Sequence, residues 1–260
     1  MENNILFRCS SLGYIMTEPK KGSTEKLSET TKTNLIDIYT SNKYNRFTEI
    51  SSKYLKKGND VEEDSITLLS RMTKTFFTKN EQQLSNDFVK GTPDLFEGPE
   101  IIKATRIRDT KSSWDIFTFN RAKNKPLDQK YYWQGHGYMW LTGAELCNID
   151  YCLNNTPYHI VLSELYREGF KHKDSQTPEW IELQIIANHT YDFETFEKYR
   201  KQRDLSITMD ESKYIVAGFV EVPMKERYHT FEFKRNDEDL KRLENRIIDC
   251  RKFIKSTYES

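Results

Sequence analysis

Gly91-Thr92-Pro93-Asp94-Leu95-Phe96-Glu97-Gly98-Pro99 and, after an apolar and basic run, Arg108-Asp109-Thr110-Lys111-Ser112-Ser113-Trp114 make up the stretch on which the reading of the fold turns. Glu97-Gly98-Pro99 has turn chemistry: glycine accepts dihedrals closed to other residues, and proline fixes one. Residues 100–108 are rich in β-branched side chains and carry no breaker, which predicts a strand. Pairing the two sides of the turn as a hairpin brings Asp94 and Asp109 together at one end of it. Side chains alternate along a strand, so Asp109 and Lys111 share a face and Thr110 takes the other.

Two carboxylates and an ammonium at one spot suit hydrolysis of a phosphodiester. Hard oxygen ligands hold Mg²⁺ or Mn²⁺, which keeps several waters and bridges to phosphate oxygen. Such an ion lowers the pKa of a bound water and stabilises charge developing on phosphorus. A neighbouring lysine orients the attacking water or neutralises the transition state. Asp-x-Lys alone is a weak signal, because 40 acidic and 40 basic residues generate such triplets by chance. On its own it reads first as a solvated edge strand. Its neighbours decide.

Gly-Thr-Pro-Asp followed by Asp-x-Lys resembles the PD-(D/E)xK nuclease superfamily and, within it, the YqaJ-type viral recombinase group that includes phage lambda exonuclease. Three more segments fit in order. Gly58-Asn59-Asp60-Val61-Glu62 is similar to the family's Gly-x-x-x-Glu helix, with Glu63 as the register alternative to Glu62. Gln134-Gly135-His136-Gly137-Tyr138 is similar to its Gln-x-x-x-Tyr signature, and Arg8-Cys9-Ser10-Ser11 to an Arg/Ser segment near a 5′-phosphate pocket. The match spans roughly residues 5–155.

The resemblance implies a catalytic set of Glu62, Asp94, Asp109, Lys111 and Gln134. Glu62, Asp94 and Asp109 would hold metal, with the Thr110 carbonyl as a further ligand; Lys111 and Gln134 would position the water or stabilise the pentacovalent state. Tyr138 shapes the site, and Arg8 with Ser10 or Ser11 receives a terminal phosphate. There are departures too. Many members carry Glu where this chain has Asp109, and Asp87 is an uncertain counterpart of an extra acid some relatives place before Pro-Asp. Cys9, Cys147, Cys152 and Cys250 lack the clustering of an iron–sulfur site.

With 260 residues, 36% hydrophobic and 31% charged, the chain stays within the globular class. No apolar run approaches the roughly 18–20 residues of a membrane span. No basic region followed by an apolar core marks a secretory signal. Four scattered cysteines read as reduced thiols, and a cytoplasmic location (a host cytoplasm if the chain is phage-encoded) is expected. A net charge of zero does not exclude a nucleic-acid partner, since an enclosing nuclease needs only a local basic surface.

Periodicity predicts helices over residues 33–57 (ended by Gly58), 60–77 (capped by Asp60), 128–147 and 237–258, with one or two more over 178–205 and a helical or mixed stretch at 158–169. A strand is predicted at 148–152, and a hairpin from 214–222 and 228–233. Gln134 and Tyr138, four apart on a helix, project together, whereas His136 lies off their side and reads as structural, as do His159 and His189. Trp114, Phe117, Phe119, Arg121, Lys123 and Lys125 read either as core or as a strand-stacking surface. Lys198, Arg200, Lys201 and Arg203 read as a backbone-binding stripe or a solvated face.

The fold expected is α/β: a restriction-endonuclease-like core with a mixed central β-sheet flanked by helices, plus a C-terminal β-hairpin and helix. A single domain is expected, with the nuclease core at about 5–155 and a C-terminal α/β extension at about 156–260. The resemblance implies a Mg²⁺-dependent (or Mn²⁺-dependent) DNA exonuclease that degrades one strand of linear duplex 5′-to-3′. It would leave 3′ single-stranded overhangs for a single-strand annealing protein, and would act as a homo-oligomer without a membrane. The alternatives are a structure- or site-specific endonuclease on the same fold, or a non-cleaving DNA-binding accessory protein.

Overall fold

The computed structural model of the protein describes residues 5–46, 52–171, 177–205 and 219–258. Strand β4 (Leu95–Glu97) runs antiparallel to β5 (Arg106–Ser112), with Leu95 opposite Arg108 and Glu97 opposite Arg106. The expected hairpin is present, but its second strand starts at Arg106 instead of residue 100, because Ile101–Lys103 turns as a 3-10 segment. Gly98 at φ +142° starts that detour, and the Thr105 N–H donates back to the Glu97 carbonyl at 2.8 Å to close it.

Strand β5 pairs in parallel with β6 (Leu146–Cys152), and β6 pairs antiparallel with β7 (Tyr228–Lys234), giving the order β4-β5-β6-β7. A parallel pair needs a crossover, and α5 (Ile116–Lys123) and α6 (Gln129–Thr142) supply it. Only the second strand of the expected C-terminal hairpin lies wholly within the described residues. Residues 214–218 lie outside the described residues, 219–222 are not strand, and β7 adds to the central sheet. Strand β6 is buried along nearly its whole length, so both its edges need a hydrogen-bonding partner. A buried network fixes this register: Arg108 Nη1 donates to Asp150 Oδ2 at 3.0 Å, and the Tyr228 hydroxyl donates to Asp150 Oδ1 at 2.7 Å.

The N-terminal segment forms a smaller sheet in which β1 (Phe7–Arg8) pairs in parallel with β3 (Val89–Gly91), itself antiparallel to β2 (Leu84–Ser85). Helix α1 (Leu12–Ile15) follows β1. The helix expected over 33–57 is two helices, α2 (Glu29–Tyr44) and α3 (Lys53–Asp60). Asn45, left-handed at φ 49°, ends the first, and the Ser52 side chain caps the second through the Leu55 N–H. Gly58 therefore lies inside a helix rather than past its end, while Phe47 and Ile50 lie outside the described residues. Helix α4 (Glu62–Thr73) begins after Val61 and stops at Lys74, φ 55°, short of residue 77; Asp60 pairs with His159 and does not cap it. Helices α7 (Tyr158–Gly169), α8 (Glu179–His189) and α9 (Phe193–Gln202) share a separate core that includes Val161, Leu183, Ile186 and Phe196.

Helix α10 (Asp237–Tyr258) spans the expected range and seats Leu243, Ile247, Cys250 and Ile254 in the main core. Residues 228–258, expected in a C-terminal extension, thus supply a strand of the central sheet and a wall of its core. Among the described residues no helix is long and apolar enough to cross a membrane.

Helix α6 is the spine of that core, buried on opposite sides at once. Two glycines let it in. A Cβ on Gly135 would lie 2.5 Å from Phe233 Cζ and 2.7 Å from Cys147 Sγ, while one on Gly137 would lie 2.5 Å from Leu12 Cδ1. Each glycine costs about 0.5–1 kcal/mol of helix stability relative to alanine, and close packing offsets it. Gly135→Val and Gly137→Val should each lower unfolding free energy by about 1–3 kcal/mol in chemical denaturation. Gly58→Ala, in a helix and with nothing within 4 Å of the new methyl, should leave stability unchanged or raise it.

Candidate active site

The acidic end of the hairpin is made by a proline. Continuing the β4–β5 register would set Pro93 opposite Thr110, but Pro93 has no N–H to give and its carbonyl accepts from Asn80 Nδ2 at 2.8 Å. The ladder stops there. The Thr110 N–H that it would have used donates instead to Asp94 Oδ2 at 2.8 Å, and Thr110 Oγ1 donates to the same oxygen at 3.0 Å. Asn80 also donates its backbone N–H to the Asp94 carbonyl at 2.8 Å, so one buried residue clamps both sides of the Pro93–Asp94 link.

Asp109, only 1% exposed, lies beneath α6. Gln134 Nε2 donates to Asp109 Oδ1 at 3.2 Å and to the Tyr138 hydroxyl at 3.0 Å. Lys111 Nζ contacts Asp109 Oδ2 as an ion pair, though no directed hydrogen bond reaches that oxygen, and sits 4.7 Å from the centre of the Tyr131 ring. The alternation along β5 is as expected for Asp109 and Lys111. Thr110 departs from it in effect, because its side chain reaches over the edge to Asp94.

Burial and the like charge of Asp109 push the Asp94 carboxyl up to about 7, against the pull of Lys111 and two hydrogen bonds from Thr110. Asp109 is raised for the same first reason, loss of solvent, with Lys111 opposing. Lys111 is itself held above its ordinary value: burial disfavours its charge, but Asp109 and Asp94 outweigh that. Two buried carboxylates that resist being ionised together, with one ammonium between them, fit a hard divalent cation. Such an ion commonly takes one or two protein carboxylates and keeps waters or phosphate oxygens for the rest. No group of three or more His, Cys, Asp or Glu side chains gathers into a ligand cluster among the described residues. Asp94 and Asp109 interact through their charge and line one cavity with Glu62 and Thr110, so these groups could hold such an ion.

Of the residues read from sequence, Ser10, Glu62, Asp94, Asp109, Thr110, Lys111, Gln134 and Tyr138 line one cavity of about 520 Å³. Glu63, the register alternative to Glu62, lines a neighbouring groove instead. Arg8 is exposed beside the acidic cavity's Ser10, and Ser11 Oγ donates to the Arg8 carbonyl at 2.8 Å. Asp87 is exposed and lies off the cavity.

Tyr14, Tyr54, Lys130 and Tyr131 also line it and were missed. Lys130 and Tyr131 stand four and three residues before Gln134, a spacing that puts them on its face of α6 and was legible. Asn80 gave no sequence signal. His136 is structural: its ring bonds the Tyr132 carbonyl at 3.0 Å and accepts from the Asn236 N–H at 3.2 Å. His189 lies against Thr156, and His159 pairs with Asp60.

Among the aromatics after β5, Phe119 is core and Phe117 is exposed, while Trp114 is wedged edge-on to Tyr54 and His189. Buried Lys57, pushed down to about 7 by loss of solvent, donates to the Trp114 carbonyl at 2.8 Å and pins the exit of β5. In the basic stripe, Arg200 is bound to Glu197 and Arg203 to Glu182, and Lys201 also pairs with Glu197 at 3.7 Å, so most of its charge is met within the chain.

The Asp94 shift fixes the sign of a stability effect. Its carboxyl binds a proton more tightly folded than unfolded, so the contribution is favourable below pH 3.8 and is lost as pH rises through about 7. Asp94→Asn, which keeps the acceptor for Thr110, should raise Tm by a few degrees at pH 8 without divalent ions. The gain should shrink toward pH 4 in the same calorimetric series.

No protein-family model matches the chain, and no curated protein matches it in sequence. Solved structures do match in shape. A phage-related exonuclease from Haemophilus somnus 129PT superposes with a TM-score of 0.63 at 24% identity, over 96% of this chain and 93% of that one. An alkaline exonuclease from Laribacter hongkongensis, LHK-Exo, gives 0.59 at 11% identity over 98% and 91%. Its complex with dAMP gives 0.55 at 12% identity over 97% and 93%. The chain has the fold of these exonucleases, a mixed α/β arrangement of the restriction-endonuclease-like kind that its motifs led one to expect.

Proposed function

We propose that this chain is a divalent-cation-dependent DNA exonuclease, a single nuclease domain using Mg²⁺ or Mn²⁺. In this reading it hydrolyses one strand of linear duplex from a 5′ end and leaves 3′ overhangs suited to an annealing protein. The observation that carries the reading is the buried Asp94–Asp109 pair with Lys111 on its rim, in a cavity wide enough for a nucleotide-sized group. The shared fold with the two exonucleases supports the same reaction class. So does the dAMP bound to LHK-Exo, a fragment of the kind that strand hydrolysis deals in.

A bound divalent ion would supply a more acidic water and a counter-charge for phosphate oxygen. The protein's own groups do the rest. Asp94 and Asp109 are held in place by Thr110 and Gln134, so their positions are set before substrate arrives. Gln134 commits its amide nitrogen to Asp109 and Tyr138, which leaves its carboxamide oxygen to accept from an attacking water. Lys111 is kept protonated by the two carboxylates and offers an ammonium to the developing negative charge.

Lys111→Ala and Asp109→Ala should each lower cleavage by about two orders of magnitude or more while leaving DNA binding largely intact. The defining assay is time-resolved digestion of end-labelled linear duplex beside closed circles, with and without Mg²⁺. Loss of label from linear ends with circles untouched is the expected result. Nicked or linearised circles would turn the reading toward an endonuclease, and unchanged cleavage by Lys111→Ala would remove the site.

A further inference from the structure

Lys79 lies outside every motif read from the sequence, yet its Nζ is 2.7 Å from Glu62 Oε2. Glu62 lines the cavity that holds Asp94 and Asp109, and its charge is one of those that raise the Asp109 pKa. Among the described residues the three acids do not gather into a ligand cluster, and the Glu62 carboxylate is engaged by Lys79. Lys79 in turn feels Glu62, Glu63 and Asp94, and the Glu62 bond is the largest cause of its raised pKa.

Two further features bear on what the pair can do. The side chains are 38% and 26% exposed, and an ion pair open to water is weak and readily exchanged. Lys79 also lines a groove of about 490 Å³ together with Arg71, Lys74, Glu63, Phe76 and Phe77, in which the cations outnumber the one acid. It therefore stands where a polyanion lying in that groove would meet a cation already engaged with a carboxylate.

We propose that Lys79 is an exchangeable latch: without nucleic acid it holds Glu62 aside, and a backbone phosphate draws it off, freeing Glu62 to complete the cation site with Asp94 and Asp109. The proposal rests on the nuclease reading above. It makes Lys79 a phosphate-binding residue and the Glu62 carboxylate a ligand only in the substrate-bound state. Because coupling is reciprocal, the cation then binds more tightly when a strand is present, and the strand when the cation is.

The test is a double-mutant cycle on the full chain, without nucleic acid, reading free Mn²⁺ by electron paramagnetic resonance. Lys79→Met should tighten Mn²⁺ binding by about fivefold or more, the lower end of ordinary coupling. Glu62→Gln alone should change it little. In the double variant the gain should disappear, because there is no carboxylate to release. If Lys79→Met tightens Mn²⁺ equally in the Glu62→Gln background, the effect is plain charge removal and the latch is wrong; no tightening at all also overturns it. Asp94→Asn separates this failure from that of the underlying reading. Unaltered Mn²⁺ binding there sinks the cation site itself, whereas lost binding with a failed cycle sinks the latch alone.

Discussion

Asp94 and Asp109 are two like charges held together where little water reaches them, and most of the surrounding structure answers to that fact. A pair of buried carboxylates is costly unless something positive or hydrogen-bonding compensates. Here the compensation is partial. Thr110 gives two hydrogen bonds to Asp94, Gln134 gives one to Asp109, and Lys111 supplies a single ammonium for both. Burial, and then the like charge of Asp109, leave Asp94 pushed up to about 7 despite Lys111. That residual strain is what the proposed divalent ion would relieve.

The strain can persist because the parts that hold it are rigid. Both acids sit on the central sheet, whose register is locked on the opposite face by Arg108, Asp150 and Tyr228. Helix α6 presses Gln134 against Asp109 from the other side, and it can do so only because two glycines let its backbone approach the sheet and the N-terminal segment. The same helix therefore closes the core and sets the site. Asn80 completes the frame by holding the Pro93–Asp94 link.

Much of this was legible in the sequence, for identifiable reasons. Proline, glycine and strand alternation are local constraints, so the 91–114 stretch announced its hairpin and the side shared by Asp109 and Lys111. Helical spacing announced the Gln134–Tyr138 pair and the stripe of α10. What could not be read depends on distant partners. Strand β7 pairs with β6, whose edge lies some eighty residues away in sequence. Asn80 acts through a carbonyl thirteen residues on, and an asparagine in a loop carries no mark of that. Glu62 was placed at the cavity by its motif, but its engagement with Lys79 is a contact across seventeen residues that no periodicity encodes. The helix expected over 33–57 failed for a simpler reason: a left-handed Asn45 and a capping Ser52 divide it, and neither is rare enough to have been decisive.

The central claim is that Asp94 and Asp109 together seat a divalent cation. The most direct measurement is a crystal grown with Mn²⁺ and recorded at a wavelength where manganese scatters anomalously. The account predicts an anomalous peak between the two carboxylates, within bonding distance of both, that vanishes in crystals of Asp109→Asn. A peak elsewhere in the chain, or none at this pair while Mn²⁺ is bound in solution, would contradict it.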